Sequence, residues 1–344
     1  MGMDRMERRP RVPLDTAVTY ATLGLSVIPE CPPTCGCHSP CKRPWDPVAG
    51  QHMTGWLATS VVVMKRRAGD NMAWAIDTTE ALNDSSVNWT AFYDWKQAWP
   101  QWAGRYFGGG YNWSAGEFTA AKKATGGALV RIAPLQGSQA SRQQTAGSNG
   151  HEYGVSAANA TCANIIDAIN ASQLSLPTNE PVIVYLDVEQ GTSIMPAYWA
   201  GWATTVYNYV HNGVAPFLPG MYTDYVLDTS NNLYYPQSSV QTCLNTVCTY
   251  WPGDNYFCYG LWANEPEPCS YASDSTAVPD WSVFGSFTQT GCGNKFPVPL
   301  YLYQHMEHKA AVDTCGVSNF AGGNDFDLDS SDDKGGQTYM LAID

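Results

Sequence analysis

From residue 72 onward, short apolar runs recur along the chain, spaced widely enough to leave a helix or a long loop between them. Eight have the length and the β-branched or aromatic content of strands: 73–77, 103–107, 128–135, 181–188, 217–223, 258–263, 299–304 and 324–328. Helical spacing of apolar residues predicts helices within 89–99, 115–125, 154–172 and 196–212. Strands that alternate with helices predict parallel pairing, because a parallel connection needs a crossover and a helix supplies it. The expected class is therefore α/β, with eight strands closing a (β/α)8 TIM-like barrel over 72–344. The segments 224–257 and 264–298 read as irregular and Cys-bearing, so the later helices are expected to be irregular, short or missing. Residues 1–71 are expected to form an N-terminal extension with a Cys-rich loop.

The run PVIVYLDVEQG at 181–191 carries the most chemical information. Side chains alternate faces along a strand, so Asp187 and Glu189 share one face. The preceding Val182 to Leu186 form a near-continuous apolar stretch, which suits an interior parallel strand covered on both sides. Barrels present their chemistry at the carboxyl ends of such strands. Other strand ends here also carry polar groups: Asp77, Arg105 with Tyr106, Gln136, Tyr222 with Asp224, Trp262 with Asn264 and Glu265, Gln304 with His305, and Asp325 with Asp327. Each alone has a plainer use. Asp77 can cap a helix, Tyr222 and Trp262 can fill a core, and NDFDLDSSDD can be a solvated loop. One polar residue per strand end, with acids predominating, is nonetheless what a barrel active site requires.

Composition narrows the partners. A formal net charge of −13 with only 18 Lys and Arg argues against nucleic acid and anionic membranes as ligands. Charged residues make up 14%, against 13 Trp and 20 Tyr, a balance that suits a secreted protein in contact with carbohydrate. No stretch reaches the length of a membrane span. Of the eleven cysteines, the later ones fall in loop-like segments and read as disulfides of an oxidising compartment, with Cys243–Cys248, Cys258–Cys269 and Cys292–Cys315 as the expected pairs and Cys162 left over. Cys31, Cys35, Cys37 and Cys41, with His38 among them, have the residue types of a metal site, but the spacing is not that of a typical zinc knuckle, and disulfides or an appended scar suit the run equally. Asn83, Asn88, Asn112, Asn159 and Asn170 open N-x-S/T sequons, so N-glycosylation is permitted. The N-terminus is a poor export signal, yet the rest points to a secreted or cell-surface location.

The segments AWAIDTTEA, AGRYFGGG, VRIAPLQ, VIVYLDVEQG, PGMYTDY, YGLWANEPE, LYLYQH and NDFDLD resemble, in this order, the strand-end motifs of the glycoside-hydrolase-like family called domain of unknown function 1906. They also resemble its relatives, the glycoside hydrolase family 25 lysozymes. The sequence departs from the lysozymes in having YQH for W-Q-Y and DFDLD for an Asp-Leu-Asn segment. The resemblance implies a barrel acting on a polysaccharide, with peptidoglycan the usual target of the lysozyme branch. It casts Glu189 as general acid, Asp187 as its carboxylate partner, and Asp77 and Asp327 as the acids of the first and last strands. From their own chemistry and their places at strand ends, Tyr106, Gln136, Tyr222, Trp262 and Gln304 are expected to bind substrate through ring stacking or hydrogen bonds. No cofactor and no metal is expected, since DFDLD lacks the glycine and terminal glutamate of an EF-hand loop. The alternative is a non-catalytic, secreted carbohydrate-binding or envelope protein on the same barrel. The stretch 17–44 resembles the opening of bifunctional primase-polymerase domains, but nothing downstream continues that likeness.

Overall fold

The computed structural model describes residues 45–46, 51–52, 73–84, 87–137, 139–178, 180–189, 191–250, 257–264, 281–291, 294–307, 326–331 and 336–344. The chain divides into two units, Met1–Val62 and Val63–Asp344. In the first, Trp45–Asp46 pairs with Gln51–His52 as a short antiparallel ladder. The Cys31 to Cys41 cluster with His38 lies outside the described residues, as do Glu265, Cys269, Cys292, Cys315 and Asp325.

The second unit is built on eight long-range strands: β1 (Ala73–Thr78), β2 (Trp102–Tyr106), β3 (Arg131–Gln136), β4 (Val182–Val188), β5 (Phe217–Asp228), β6 (Leu261–Asn264), β7 (Leu300–Glu307) and β8 (Phe326–Ser331). Among the described residues six helices accompany them: α1 (Trp89–Lys96), α2 (Glu117–Ala124), α3 (Ala140–Gln143), α4 (Gly147–Asn170), α5 (Pro196–Asn208) and α6 (Ser238–Tyr250). Each strand pairs with the next in sequence, and β8 pairs back with β1, so the sheet closes. Pairing is parallel from β1 through β7. It is antiparallel on both sides of β8.

That last pairing overturns the (β/α)8 expectation: this is a closed mixed barrel, not eight repeats of strand and helix. Glu307 lies opposite Asp327, so the chain leaves β7 and enters β8 at the same end of the barrel. An antiparallel return of this kind needs no crossover helix. Helices follow β1 to β5, whereas the described residues between β6 and β7 form a 3-10 turn, Trp281–Val283, and an antiparallel hairpin, Phe287–Gly291 with Asn294–Val298. The segment 224–257, read as irregular, contains α6. Its Ser, Thr, Asn and Cys residues have weak helix propensity, and tertiary packing of the stripe Val240, Cys243 and Leu244 overrides it.

Alternation along the strands produces two cores. Ala75, Trp102, Leu135, Tyr185, Trp262 and Leu302 fill the barrel. Ile76, Ala103, Val184, Leu186, Val188 and Met221 face outward beneath the helices. Strand β4 is buried on both faces, which is why its sequence reads as a continuous apolar run. Helices α4 and α5 cross at glycines: a Cβ on Gly154 would lie 2.2 Å from the Tyr198 carbonyl, and one on Gly201 2.2 Å from that of His151. Strands β3 and β4 meet only at Leu135–Tyr185 and Gln136–Leu186. The C-terminal strand Leu341–Ile343 occupies the wedge below, antiparallel to β3 and to Leu174–Ser175, while Met340 closes the barrel floor.

Two of the expected disulfides are not formed. Cys243 and Cys258 are buried free thiols, as is Cys162. Burial pushes the Cys258 thiol up to about 12, so it stays protonated and unreactive. No helix among the described residues is long and apolar enough to cross a membrane.

The outer side of β8 is covered by rings. Ser330 sits in register between Trp74 and Tyr303, and its small side chain leaves room for their rings to close over the strand. His305 stacks on Trp74 at 5.4 Å and on Tyr303 at 4.9 Å. Burial, and then the nearby Lys96 ammonium, lower His305 to about 3. The folded protein therefore refuses a proton that the unfolded chain accepts at about pH 6.5. Stability is expected to fall as pH drops from about 6.5 toward 3, by up to ~1.4 kcal/mol per pH unit for this one group. His305→Phe keeps a flat ring in the stack and should flatten that acid limb in denaturant titrations run across the pH range.

Candidate active site at the barrel mouth

Parallel packing brings the carboxyl ends of β1 to β7 to one end of the barrel, and the antiparallel β8 contributes its beginning instead. The register aligns Asp77 with Asp327, Asp187 with Tyr222, and Asp224 with Asn264 and Gln304. Asp329 lies opposite Gln304, one step deeper on β8 than Asp327. Of the residues singled out from sequence, Asp77, Tyr106, Asp187, Glu189, Tyr222, Trp262, Gln304 and Asp327 share this inner face or its rim. Asp187 and Asp77 are each 3% exposed, whereas Glu189 and Asp327 are half-buried.

Two residues face the other way. Gln136 lies outside the barrel, where its Oε1 accepts from Trp202 Nε1 and its Nε2 donates to the Tyr198 hydroxyl at 3.1 Å. It fastens β3 to helices α4 and α5 and does not reach the mouth. Arg105 also points outward, and its Nε bonds Glu117 Oε1 at 2.7 Å with both side chains buried. Glu117 in turn accepts from the Leu82 and Ser114 amides. The barrel's acids receive no charge from this guanidinium.

The floor of the mouth is Trp262. Its ring meets Trp102, Tyr185 and Tyr222 edge-on, with centroids 5.3–5.6 Å apart. Its Nε1 donates to Asp329 Oδ1 at 3.1 Å. This side chain is core and a hydrogen-bond donor rather than a stacking platform for sugar, which corrects the substrate-binding expectation for it. The Tyr222 hydroxyl donates to Gln304 Oε1, so those two polar groups partly satisfy each other beneath the opening.

The end of β4 is held from outside. Gln143 Nε2 donates to the Asp187 carbonyl at 3.0 Å, and Gln237 Nε2 donates to the Val188 carbonyl at 2.8 Å. These amides satisfy backbone acceptors at the point where the ladder ends, and so fix the direction of the Asp187 and Glu189 side chains. Beyond the barrel, β5 continues to Asp228 and pairs antiparallel with Leu233–Pro236. A groove of about 600 Å³ lies there at the rim, lined by Val226, Leu227, Asp228, Tyr235, Gln237 and Gln241 among others.

So many carboxyls in one low-dielectric space cannot all ionise. Burial, then the charges of Glu189, Asp77 and Asp224, hold Asp187 well above the ordinary carboxylate range, against a hydrogen bond with Tyr106 that pulls it down. Burial, then Asp327, do the same to Asp329. Tyr106 and Tyr222 are driven up by burial first and by the surrounding acids next, so both hydroxyls keep their protons. Asp187 is thus the buried member of the Asp-x-Glu pair and is pushed toward its protonated form. Glu189 lies past the strand end where water reaches it, and Asp187 is the less solvated of the two.

Asp329 is absent from the residues expected from sequence because the expected strand, 324–328, ends one residue before it. The signal was present in the D-x-D-x-D alternation of residues 325–329, which places all three acids on one face if the strand runs on. Among the described residues, no three His, Cys, Asp or Glu side chains are arranged to hold a metal ion.

No family model matches the chain, and no curated protein matches it. A similar solved structure is that of an uncharacterized B. stearothermophilus protein, at 12% identity and a TM-score of 0.47, with 78% of this chain and 99% of that chain covered.

Gly104 sets the spacing within the mouth. A Cβ there would stand 2.5 Å from both Asp77 Cβ and Trp262 Cη2. Gly104→Ala is expected to push these groups apart and cost ~1–3 kcal/mol, as overpacking does. Thermal unfolding, with tryptophan fluorescence reporting the displaced Trp262, checks it.

Proposed function

We propose that the mouth is a glycoside hydrolase site acting on a polysaccharide, with a peptidoglycan-type glycan as the favoured class. The observation that carries the reading is the Asp187–Glu189 pair: two carboxyls on one face of one strand, the deeper held protonated and the outer one solvated. Glycoside hydrolysis needs this asymmetry, with one acid to protonate the leaving oxygen and one carboxylate to stabilise or attack the developing oxocarbenium ion. Asp187 serves as proton donor and Glu189 as the carboxylate. Asp77 and Asp327 face each other across the β1–β8 ladder and add negative potential that favours a cationic transition state. The glycan class rests on the resemblance of the eight strand-end motifs to domain of unknown function 1906 and the family 25 lysozymes. The secreted or cell-surface location rests on low charge and aromatic richness, the free Cys243 and Cys258 having removed two disulfides from its support.

A second reading, a non-catalytic glycan-binding or envelope barrel, is favoured by one specific observation. Trp262 and Gln304 are fully buried and bonded to Asp329 and Tyr222, so they serve the interior rather than a ligand.

Release of reducing ends from peptidoglycan and chitin separates the two. Wild type is expected to release them, and Asp187→Asn and Glu189→Gln each to lose ~10²–10⁴-fold, the usual worth of a positioned acid or base. Because the active form needs Asp187 protonated, activity should decline as pH rises through its raised value, above the ~3.9 of an ordinary aspartate. A folded wild type that binds glycan and releases no reducing ends at any pH establishes the second reading.

A further inference from the structure

The three rings expected from sequence to touch sugar are sealed inside the barrel: Tyr106, Tyr222 and Trp262 are each 5% exposed or less. A sugar that stacks on an aromatic face needs a ring with one side open. Among the described residues, five tyrosines pack half-buried against the interior cluster: Tyr111, Tyr207, Tyr259, Tyr301 and Tyr339. Four of them belong to the floor. Tyr259 precedes β6, Tyr301 lies at the start of β7, Tyr207 stacks on Tyr259 with centroids 5.9 Å apart, and Tyr339 lies 5.2 Å from Tyr301. Tyr111 stands at the opposite end, at the mouth.

Local structure carries it there. Tyr106 is the last inward-facing residue of β2, in register with Leu135 of β3. Past Phe107, three glycines with left-handed backbones, Gly108 (φ 73°), Gly109 (φ 64°) and Gly110 (φ 109°), let the chain double back. The Tyr111 amide closes the turn on the Gly108 carbonyl at 3.0 Å. The Thr161 hydroxyl ties this turn to α4 by donating to the Phe107 carbonyl at 3.2 Å. The returning Tyr111 ring lies 5.4 Å from that of Tyr106, tilted by 48°. It also lies over Gly137, where a Cβ would stand 2.2 Å from Tyr111 Cε2. Gly137 and Asp187 each follow the registered pair Gln136 and Leu186, so the ring covers the β3 position beside the buried acid.

We propose that Tyr111 is a substrate-binding residue whose open face stacks on the apolar face of a pyranose seated next to Asp187, with Tyr106 and the Gly137 backbone supporting the ring. This rests on the reading that the mouth takes a glycan and not on hydrolysis, so it holds for a barrel that cleaves and for one that only binds. A mere cover for the core needs apolar bulk, whereas stacking needs a flat ring.

Leucine separates the two roles, because it keeps bulk and removes the ring. Full-length wild type, Tyr111→Phe, Tyr111→Leu and Gly137→Ala are titrated calorimetrically with a soluble chito-oligosaccharide and with soluble peptidoglycan strands. Denaturant unfolding checks that each variant is folded, and release of reducing ends is recorded alongside. Tyr111→Phe should bind within about twofold of wild type and Tyr111→Leu ~5–10-fold more weakly, the scale of one aromatic face. Gly137→Ala keeps the tyrosine but displaces its ring, and should weaken binding on the same scale. Wild-type affinity in a folded Tyr111→Leu protein, or in Gly137→Ala if the leucine variant does not fold, overturns the assignment and leaves the glycosidase reading standing. An equal loss in Tyr111→Phe assigns the contact to the hydroxyl and overturns the stacking. Binding that depends on the ring without any release of reducing ends supports the proposal and refutes hydrolysis instead. A wild type that binds neither glycan overturns both.

Discussion

The mouth is governed by a mismatch between acids and cations inside a closed sheet. Strand alternation sends Asp77, Asp187, Asp327 and Asp329 inward, and the same alternation sends Arg105 outward to Glu117. With the guanidinium spent elsewhere, the interior carboxyls are neutralised by protons and by phenol, indole and amide hydrogen bonds. Everything distinctive about the site follows from that constraint. Burial, and then the charges of Glu189, Asp77 and Asp224 around it, push Asp187 toward its neutral form. Trp262 is turned edge-on to three rings and toward Asp329, giving that acid a donor. Gly104 lacks a side chain because Asp77 and the Trp262 ring already fill its place.

The scaffold that imposes this pattern was largely legible in the sequence. All eight apolar runs became barrel strands in the expected neighbour order, because a parallel strand buried on both faces announces itself as a continuous apolar run, as 182–188 does. The same-face placement of Asp187 and Glu189 follows from strand periodicity alone. The direction of β8 did not show, since alternation of faces has the same period whichever way a strand runs, and the antiparallel registers of β8 with β7 and β1 decide it. Helix α6 was hidden by residues of weak helical propensity, and the hairpin at 287–298 by the apparent irregularity of the segment around it.

At the site itself, residue type was legible and orientation was not. Gln136 and Gln304 each close an apolar run in the sequence, yet Gln136 falls on the opposite parity and bonds helix side chains instead of facing the mouth. Trp262 carries the aromatic surface expected of a sugar platform, but a central strand of a small barrel buries such a ring. The supports of the Asp-x-Glu segment, Gln143 at the end of α3 and Gln237 just before α6, lie 44 and 49 residues away in the chain and have no sequence signature. Solvation at a strand end likewise depends on where the strand stops, and β4 stops at Val188, which leaves Asp187 buried and Glu189 half-buried beyond it.

The acid-lined interior acts as a store of protons that the folded chain holds and the unfolded chain releases. The measurement that tests this most directly is proton release on unfolding at neutral pH, comparing wild type with the Asp187→Asn, Asp329→Asn double variant so that all other titrating groups cancel. The account predicts that wild type releases one additional proton for each of these two aspartates. Equal release from the two proteins would mean that the carboxyls are ionised inside the barrel, contradicting both the acid assigned to catalysis and the electrostatic logic of the mouth.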